Sequence, residues 1–117
     1  MMAFETALRA MRDAGALATA VVSRDGSVLA ADLPADVSKE TFSIMCATIH
    51  GAGMTVSNQL RRGGPGRIVL ESDEGCVLIT EAGRRALLVI VLPADGDLQA
   101  TTDRLKPFVD QVIRESA

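Results

Sequence analysis

The feature that most constrains the fold is an uncharged stretch of twenty residues, from Thr41 to Leu60, that contains no Asp, Glu, Lys or Arg. Ser38, a good N-cap residue, precedes this stretch, and a Gly-Gly-Pro-Gly segment at residues 63–66 follows it. We therefore predict a long helix that begins after Ser38 and ends near Arg61. A helix that packs through one face only normally carries charge on its outer face. The missing charge predicts that both faces of this helix are covered.

The residues of the long helix form two stripes on a helical wheel. The apolar stripe, which we expect to face a sheet, consists of Phe42, Met45, Cys46, Ile49, Gly53, Val56 and Leu60. The opposite stripe consists of Ile44, Ala47, Thr48, Gly51, Met54, Thr55 and Asn58. In this second stripe, Ala47, Gly51 and Thr55 recur every four positions, a spacing that allows the backbone of another helix to approach closely. We therefore expect a second copy of the chain to pack against it.

One alternative remains for the second stripe, a helix whose small and polar residues face solvent, because uncharged exposed faces do occur in proteins. Burial in a membrane is excluded because the polar side chains of this helix would be costly in lipid: His50, Ser57, Asn58 and Gln59. The longest apolar run of the chain, Ala86 to Leu92, has seven residues, whereas a membrane span needs about 20. The sequence predicts no membrane span, and we expect a cytoplasmic protein.

The remaining elements follow from apolar periodicity and turn residues. Residues 3–13 carry the apolar stripe of a short amphipathic helix, and residues 98–112 carry that of a final helix, in which Pro107 is expected to cause a kink or a local break. Five strands are predicted, at Leu17 to Ser23, Ser27 to Asp32, Arg67 to Ser72, Gly75 to Thr80 and Arg85 to Leu92. The last two strands are continuously apolar, so both of their faces must be covered. They belong at the centre of the sheet.

The order of these elements is α-β-β-α-β-β-β-α, which predicts an α/β (α+β) fold. A sheet that is covered on both faces needs helices on both sides. We expect one domain over residues 1–117, a three-layer α/β/α sandwich around a five-stranded, mainly antiparallel sheet. The long helix is expected on one face of the sheet and the two terminal helices on the other.

Composition excludes some classes of partner. The net charge is -3, and the chain has three Phe but no Trp or Tyr. Nucleic-acid binding relies on basic surfaces and, for single strands, on aromatic stacking, so nucleic acid is not an expected partner. Cys46 and Cys76 both have apolar neighbours, which favours reduced thiols over a disulfide.

Candidate catalytic and metal-binding residues are few. Cys46 and His50 are four positions apart on the long helix, so they could share a metal or form a nucleophile and base. The chain has no other His and the stretch from Thr41 to Leu60 has no acid, so both residues are expected in the core or an interface. The Gly-Gly-Pro-Gly segment follows a helix and opens a strand, the reverse of a phosphate-binding loop. We predict no catalytic residue, cofactor or metal, and therefore no enzyme.

Three segments carry a family resemblance: Ala20-Val21-Val22-Ser23-Arg24-Asp25-Gly26, Gly75-Cys76-Val77-Leu78-Ile79 and Leu87-Leu88-Val89-Ile90-Val91. In their order and spacing the chain resembles the Roadblock (dynein light-chain roadblock type) domain family, in its bacterial and archaeal GTPase-regulator branch. The resemblance implies a profilin-like fold, a sheet order of 2-1-5-4-3 and a dimer formed through the long helix and the third strand. The interface would then comprise Ile44, Ala47, Thr48, Gly51, Met54, Thr55, Asn58, Ile68, Val69 and Leu70.

The same resemblance implies a function. The protein would be a non-enzymatic homodimer, or a heterodimer with a paralogue, that binds a Ras-like small GTPase in signalling and modulates its nucleotide cycle or its localisation. It is also a candidate GTPase-activating protein. Arg61 and Arg62 are candidate contacts with the GTPase, although an ordinary solvated loop after a helix explains them more simply. The alternative function is a small-ligand-binding sensor, because related folds host ligand pockets.

Overall fold

The computed structural model describes residues 2–64, 66–94 and 97–116. It contains eight elements in the predicted order: α1 (Met2–Asp13), β1 (Ala18–Ser23), β2 (Val28–Asp32), α2 (Lys39–Gln59), β3 (Arg67–Ser72), β4 (Gly75–Ala82), β5 (Ala86–Pro93) and α3 (Leu98–Glu115). The strand β3 has the predicted bounds, and the other strands differ from the prediction by one or two residues.

The five strands form one sheet in the order β2-β1-β5-β4-β3, and every neighbouring pair is antiparallel. This is the order that the family resemblance implies. The strand β5 lies at the centre, where its residues 86–90 are all buried. Two strands form the edges, β2 on one side and β3 on the other.

The core is divided by the sheet, because successive side chains of a strand point to opposite faces. Val21, Leu88 and Ile90 pack on the side of α1 and α3. Val22 and Leu87 pack on the side of α2. The α/β/α sandwich, with the long helix on one face and the terminal helices on the other, is confirmed.

The start of α2 was predicted correctly, and its end lies two residues before the predicted position near Arg61. The side-chain oxygen of Ser38 accepts a hydrogen bond from the backbone N–H of Thr41 at 3.2 Å, as an N-cap does. The helix ends at Gln59, because Arg61 adopts a left-handed backbone conformation with φ of 56°. The backbone N–H groups of Arg61 and Arg62 close the last turn on the carbonyls of residues 58 and 57, the pattern of a Schellman motif. The chain therefore leaves the helix before the glycine-rich segment.

The rotation of α2 about its axis was also predicted incorrectly in part. Met45, Val56 and Leu60 were expected to face the sheet but are 49%, 60% and 66% exposed. Ser43 and His50 take the sheet-facing positions beside Cys46. Since almost the whole circumference of this helix is uncharged, apolar periodicity alone does not define which face is buried.

The helix α3 runs without interruption through Pro107, so the expected break does not occur. Proline removes one hydrogen bond within a helix, here to the carbonyl of Asp103. Both residues are exposed, and water can therefore satisfy that carbonyl.

Candidate interaction site

The outer face of α2 is exposed and carries no charged side chain. We define it by eight exposed, uncharged residues: Ile44, Met45, Thr48, Gly51, Ala52, Thr55, Val56 and Gln59. Ile44 is 48% exposed, and a Cβ atom added at Gly51 would meet no heavy atom within 4 Å. The face therefore offers apolar side chains around an open glycine, where a second backbone can approach.

Two threonines on this face are less polar than their residue type indicates. The hydroxyl of Thr48 donates to the carbonyl of Ile44 at 2.8 Å, and that of Thr55 donates to the carbonyl of Gly51 at 3.1 Å. Each hydroxyl proton is used within the helix. Covering these residues would therefore not leave an unpaired hydroxyl donor.

The structure divides the predicted helix contacts into two groups. Five of them are exposed on or beside the outer face: Ile44, Thr48, Gly51, Thr55 and Asn58. Ala47 and Met54 are half-buried at the flank of the helix. Ala47 packs against the core on the α2 side of the sheet, and the Met54 sulfur lies close to Gly64 in the loop after the helix.

The predicted strand contacts lie on β3, at the edge of the sheet. Ile68 is half-buried on the α2 side, Val69 is half-buried on the opposite side, and Leu70 is 42% exposed. Among the described residues, β3 pairs with β4 only. Its outer edge therefore presents free backbone N–H and C=O groups, an arrangement that invites pairing with another strand.

A polar cluster below α2 was not predicted from the sequence. His50 is 4% exposed, and its Nε2 lies 3.4 Å from Oε2 of Glu81 on β4. The same carboxylate oxygen lies 3.2 Å from Nη2 of Arg24, whose guanidinium also donates to the carbonyls of Gly83 and Arg84. His50 Nε2 is within ion-pair distance but makes no hydrogen bond of good geometry. Glu81 is 31 residues beyond His50, so no local spacing could signal this contact.

The two cysteines are free thiols, of which Cys46 is buried and Cys76 is half-buried. Cys46 packs in the core on the α2 side, whereas Cys76 packs toward the core on the other side of the sheet, so they do not face each other. Burial raises the pKa of Cys46 to about 11. Burial, followed by the nearby Glu71 carboxylate, also raises the pKa of Cys76. Although His50 gains an acidic neighbour, a thiol with a raised pKa is a poor nucleophile at neutral pH.

Clefts between the described residues are open to solvent. One, of about 270 Å³, is lined by residues that include Glu71, Cys76, Asp97 and Arg104. Another, of about 640 Å³, is a surface groove beside the β4–β5 turn. Ligand pockets typically enclose about 300–1,000 Å³ with mainly apolar walls.

No three His, Cys, Asp or Glu side chains come close enough to hold a metal ion in the part of the chain that the structure describes.

None of the described helices is long and apolar enough to cross a membrane.

The two candidate GTPase contacts, Arg61 and Arg62, are exposed just beyond the end of α2.

The strand order, the antiparallel pairing and the split of the helices over the two faces define a profilin-like α/β/α domain. A family model described as the Roadblock/LC7 domain matches residues 2–92, which are 91 of the 117 residues. The chain belongs to the Roadblock/LC7 domain family.

Relatives by sequence include two uncharacterized proteins of Methanocaldococcus jannaschii. MJ0714 is 28% identical over 101 residues, which are 86% of this chain and 85% of that protein. MJ0310 is 27% identical over 92 residues, 79% of this chain and 80% of that protein.

Solved structures with the same fold include two MglB proteins. MglB of Myxococcus xanthus superposes with a TM-score of 0.89 at 15% identity, over 98% of this chain and 88% of that one. The gliding protein MglB of Thermus thermophilus gives 0.86 at 21% identity, over 99% and 91%. A Roadblock/LC7 domain from Streptomyces avermitilis gives 0.84 at 16% identity, over 95% of both chains. At these identities the likeness establishes the fold.

Proposed function

We propose that this protein is a dimeric, non-enzymatic regulator or scaffold that binds a Ras-like small GTPase in the cytoplasm. Two observations carry the proposal in this chain of the Roadblock/LC7 family: the outer face of α2 is uncharged, and one edge of β3 is unpaired. Self-association would use these two surfaces and leave the rest of the molecule for the GTPase.

A second copy is the occupant that best fits the outer face of α2. Large uncharged, apolar surfaces are rarely left open in soluble monomers. A twofold interface would place the open Gly51 of each protomer near its copy, where two helices can approach closely. A structural neighbour, MglB, has been solved in a tetrameric arrangement, which supports the proposal that this chain self-associates.

The proposed interface residues remain those that the sequence indicates. They are Ile44, Ala47, Thr48, Gly51, Met54, Thr55, Asn58, Ile68, Val69 and Leu70. Exposure on α2 adds Met45, Ala52 and Val56 to the candidates. Because the sequence-based stripe is turned toward the flank of the helix, we expect Met45 and Val56 to be buried more deeply in a dimer than Ala47.

The GTPase part of the proposal rests on family membership together with the chemistry of the described residues. Switch segments of Ras-like GTPases are ordered by the γ-phosphate, so a protein that contacts them can bind one nucleotide state more tightly. Such binding requires no catalytic residue from the regulator. The buried Cys46, with its pKa raised to about 11, fits a structural role better than a catalytic one.

The direct test is calorimetric titration of the protein with its cognate Ras-like GTPase, loaded either with GDP or with a non-hydrolysable GTP analogue. We expect tighter binding to one of the two forms. Equal affinity for both forms would reject regulation and leave a constitutive scaffold. Absence of binding to either form would reject the proposal.

Arg61 and Arg62 are the candidate contacts, and the backbone of Arg61 allows a clean test. In the double variant Arg61→Gly, Arg62→Ala, both charges are removed while glycine relieves the left-handed conformation at position 61. We expect the variant to fold at least as stably as the wild type but to associate more slowly with the GTPase and with a weaker dependence on salt. Unchanged association kinetics would exclude these arginines from the contact.

A further inference from the structure

The free edge of β3 carries information about how a second copy would pair with it. Arg67 and Glu71 lie four positions apart on this strand, both exposed and of opposite charge. None of the ion pairs among the described residues uses either one. Because side chains alternate along a strand, both lie on the same face of the sheet, with Val69 midway between them.

The backbone groups that are free on β3 follow from the hydrogen-bond pattern of the sheet. Ser72 and Gly75 face each other across a two-residue turn, so they form a hydrogen-bonded pair. Such pairs alternate along an antiparallel ladder. The groups of Ser72, Leu70 and Ile68 are therefore directed to β4, and those of Arg67, Val69 and Glu71 are directed outward.

A contact at the other side of the sheet gives the same result. The N–H of Arg24 donates to the carbonyl of Arg85, so the odd-numbered residues of β5 are directed to β1 and the even-numbered ones to β4. Even-numbered residues of β5 pair with even-numbered residues of β4, so the backbone groups of the odd-numbered β4 residues are directed to β3. Those residues pair with the even-numbered residues of β3. The backbone groups of the odd-numbered β3 residues therefore have no partner in the sheet.

This pattern restricts the registers in which β3 can pair with its own copy about a twofold axis. A register centred between Val69 and Leu70 would pair each residue whose backbone groups are directed outward with a residue whose groups are directed to β4. Such a register cannot form a ladder of hydrogen bonds. The axis must therefore pass through one residue, and Ile68, Val69 and Leu70 are the central choices. Each choice brings a different set of side chains together.

The three registers differ in chemical complementarity. An axis at Val69 places Arg67 opposite the partner's Glu71 twice, and Ile68 opposite the partner's Leu70 twice. An axis at Leu70 instead places Glu71 opposite an apolar valine and Ile68 opposite a serine. An axis at Ile68 places Arg67 opposite a valine. Only the axis at Val69 matches charge with opposite charge on one face and apolar with apolar on the other.

We propose that two copies of this chain pair through β3 in the register centred on Val69, held by two reciprocal ion pairs between Arg67 of one protomer and Glu71 of the partner subunit. The proposal rests on the dimer of the proposed function and specifies its partner as an identical strand. Ile68 and Leu70 then extend the apolar core on the α2 side across the seam. A paralogue without both charges would pair less well, so this edge favours the homodimer.

A charge-swap experiment tests the register. Arg67→Glu and Glu71→Arg are each expected to weaken the dimer about tenfold or more, because two like-charge pairs replace two attractive ones. An equimolar mixture of the two variants should form heterodimers of nearly wild-type affinity, since both pairs are restored between the chains. The double variant Arg67→Glu, Glu71→Arg should dimerise like the wild type, which also shows that neither change prevents folding.

Sedimentation velocity gives the dimer affinities, and native mass spectrometry distinguishes the heterodimer by mass. The register would be overturned, and the dimer left intact, if both single variants dimerised as tightly as the wild type. It would also be overturned if the heterodimer in the mixture were no tighter than the homodimers of the single variants. A monomeric wild type would overturn the dimer itself. The gain in dimer affinity of the mixture over each single variant should be smaller at high salt, because exposed ion pairs are screened.

Discussion

The imidazole Nε2 of His50 on α2 lies 3.4 Å from Oε2 of Glu81 on β4, and this contact joins the long helix to the sheet. The carboxylate of Glu81 is also 3.2 Å from the guanidinium of Arg24, so its charge is already balanced without the imidazole. His50 is buried and its Nε2 has no well-formed hydrogen bond. We infer that His50 contributes to stability through packing more than through its polar contact.

This inference predicts different results for two substitutions at His50. His50→Leu keeps most of the side-chain volume and removes a poorly satisfied polar group, so we expect its free energy of unfolding to lie within about 1 kcal/mol of wild type. His50→Ala leaves a cavity and should lower that free energy by about 2–4 kcal/mol. Urea denaturation at one fixed protein concentration measures both. A leucine variant as unstable as the alanine variant would show that the contact with Glu81 is the stabilising interaction.

Gly75, the first residue of β4, should not tolerate a side chain. Its φ is 142°, and a Cβ atom there would come within 2.2 Å of the carbonyl oxygen of Leu92. Gly75→Ala should therefore cost about 3 kcal/mol or more, since backbone must move. Gly63→Ala is the matched control, because Gly63 also has a positive φ, of 78°, but has no heavy atom within 4 Å of the added Cβ. It should cost about 1 kcal/mol. Equal losses in thermal unfolding would show that only the backbone angle matters.

Cys46 should be protected from alkylation. With a pKa of about 11, about one thiol in a thousand is ionised at pH 8, and the thiolate is the reactive form. We expect iodoacetamide to modify Cys46 at pH 8 in urea but hardly at all in the native protein, as followed by peptide mass spectrometry. Equal rates in the two conditions would show that this thiol is not buried.

The raised pKa of Cys46 also predicts how stability depends on pH. The pKa in the folded chain lies above the ordinary thiol value of 9.0, so the unfolded chain loses its proton first as pH rises. The stabilising effect of the neutral thiol is therefore present below about pH 9 and is lost progressively toward about pH 11. The decline should be smaller in Cys46→Ala, compared by urea denaturation across that interval. An identical decline in both proteins would assign it to other groups.

The strands were predictable from the sequence because their signals are local. Alternating or continuous apolar residues between glycine and aspartate turns gave β3 its bounds, and the continuous apolar run of β5 indicated its central place. The N-cap at Ser38 is local in the same sense, since its partner lies three residues away.

Three features were not signalled by any pattern in the sequence. The rotation of α2 is decided by which side chains fit the sheet, and its nearly uncharged circumference leaves that choice open to Ser43 and His50. The neighbour of His50 is Glu81, on a strand that is distant in sequence. The helix α2 ends at Gln59 because Arg61 takes a left-handed conformation that is usually a glycine's, and the residue type there does not signal it.

The last prediction concerns Gly51, at the centre of the outer face of α2. In a dimer that packs two copies of this face together, Gly51→Glu would place two like charges, without water or counterions, near the twofold axis. The variant should therefore be monomeric or aggregated at concentrations where the wild type is a dimer. Because a Cβ atom at this position meets nothing within 4 Å in one protomer, the fold of the single chain should be unaffected.

Two matched variants separate the interface from other effects, with molar mass measured by light scattering. Gly51→Ala should stabilise the helix of each protomer by about 1 kcal/mol, yet weaken the dimer where the helix backbones approach closely. Ala100→Glu adds the same charge at an exposed position of α3, on the opposite face of the sheet, and should leave the dimer unchanged. A Gly51→Glu protein that stays dimeric would remove the outer face of α2 from the interface, because no packed pair of these helices can accommodate two unpaired carboxylates at its centre.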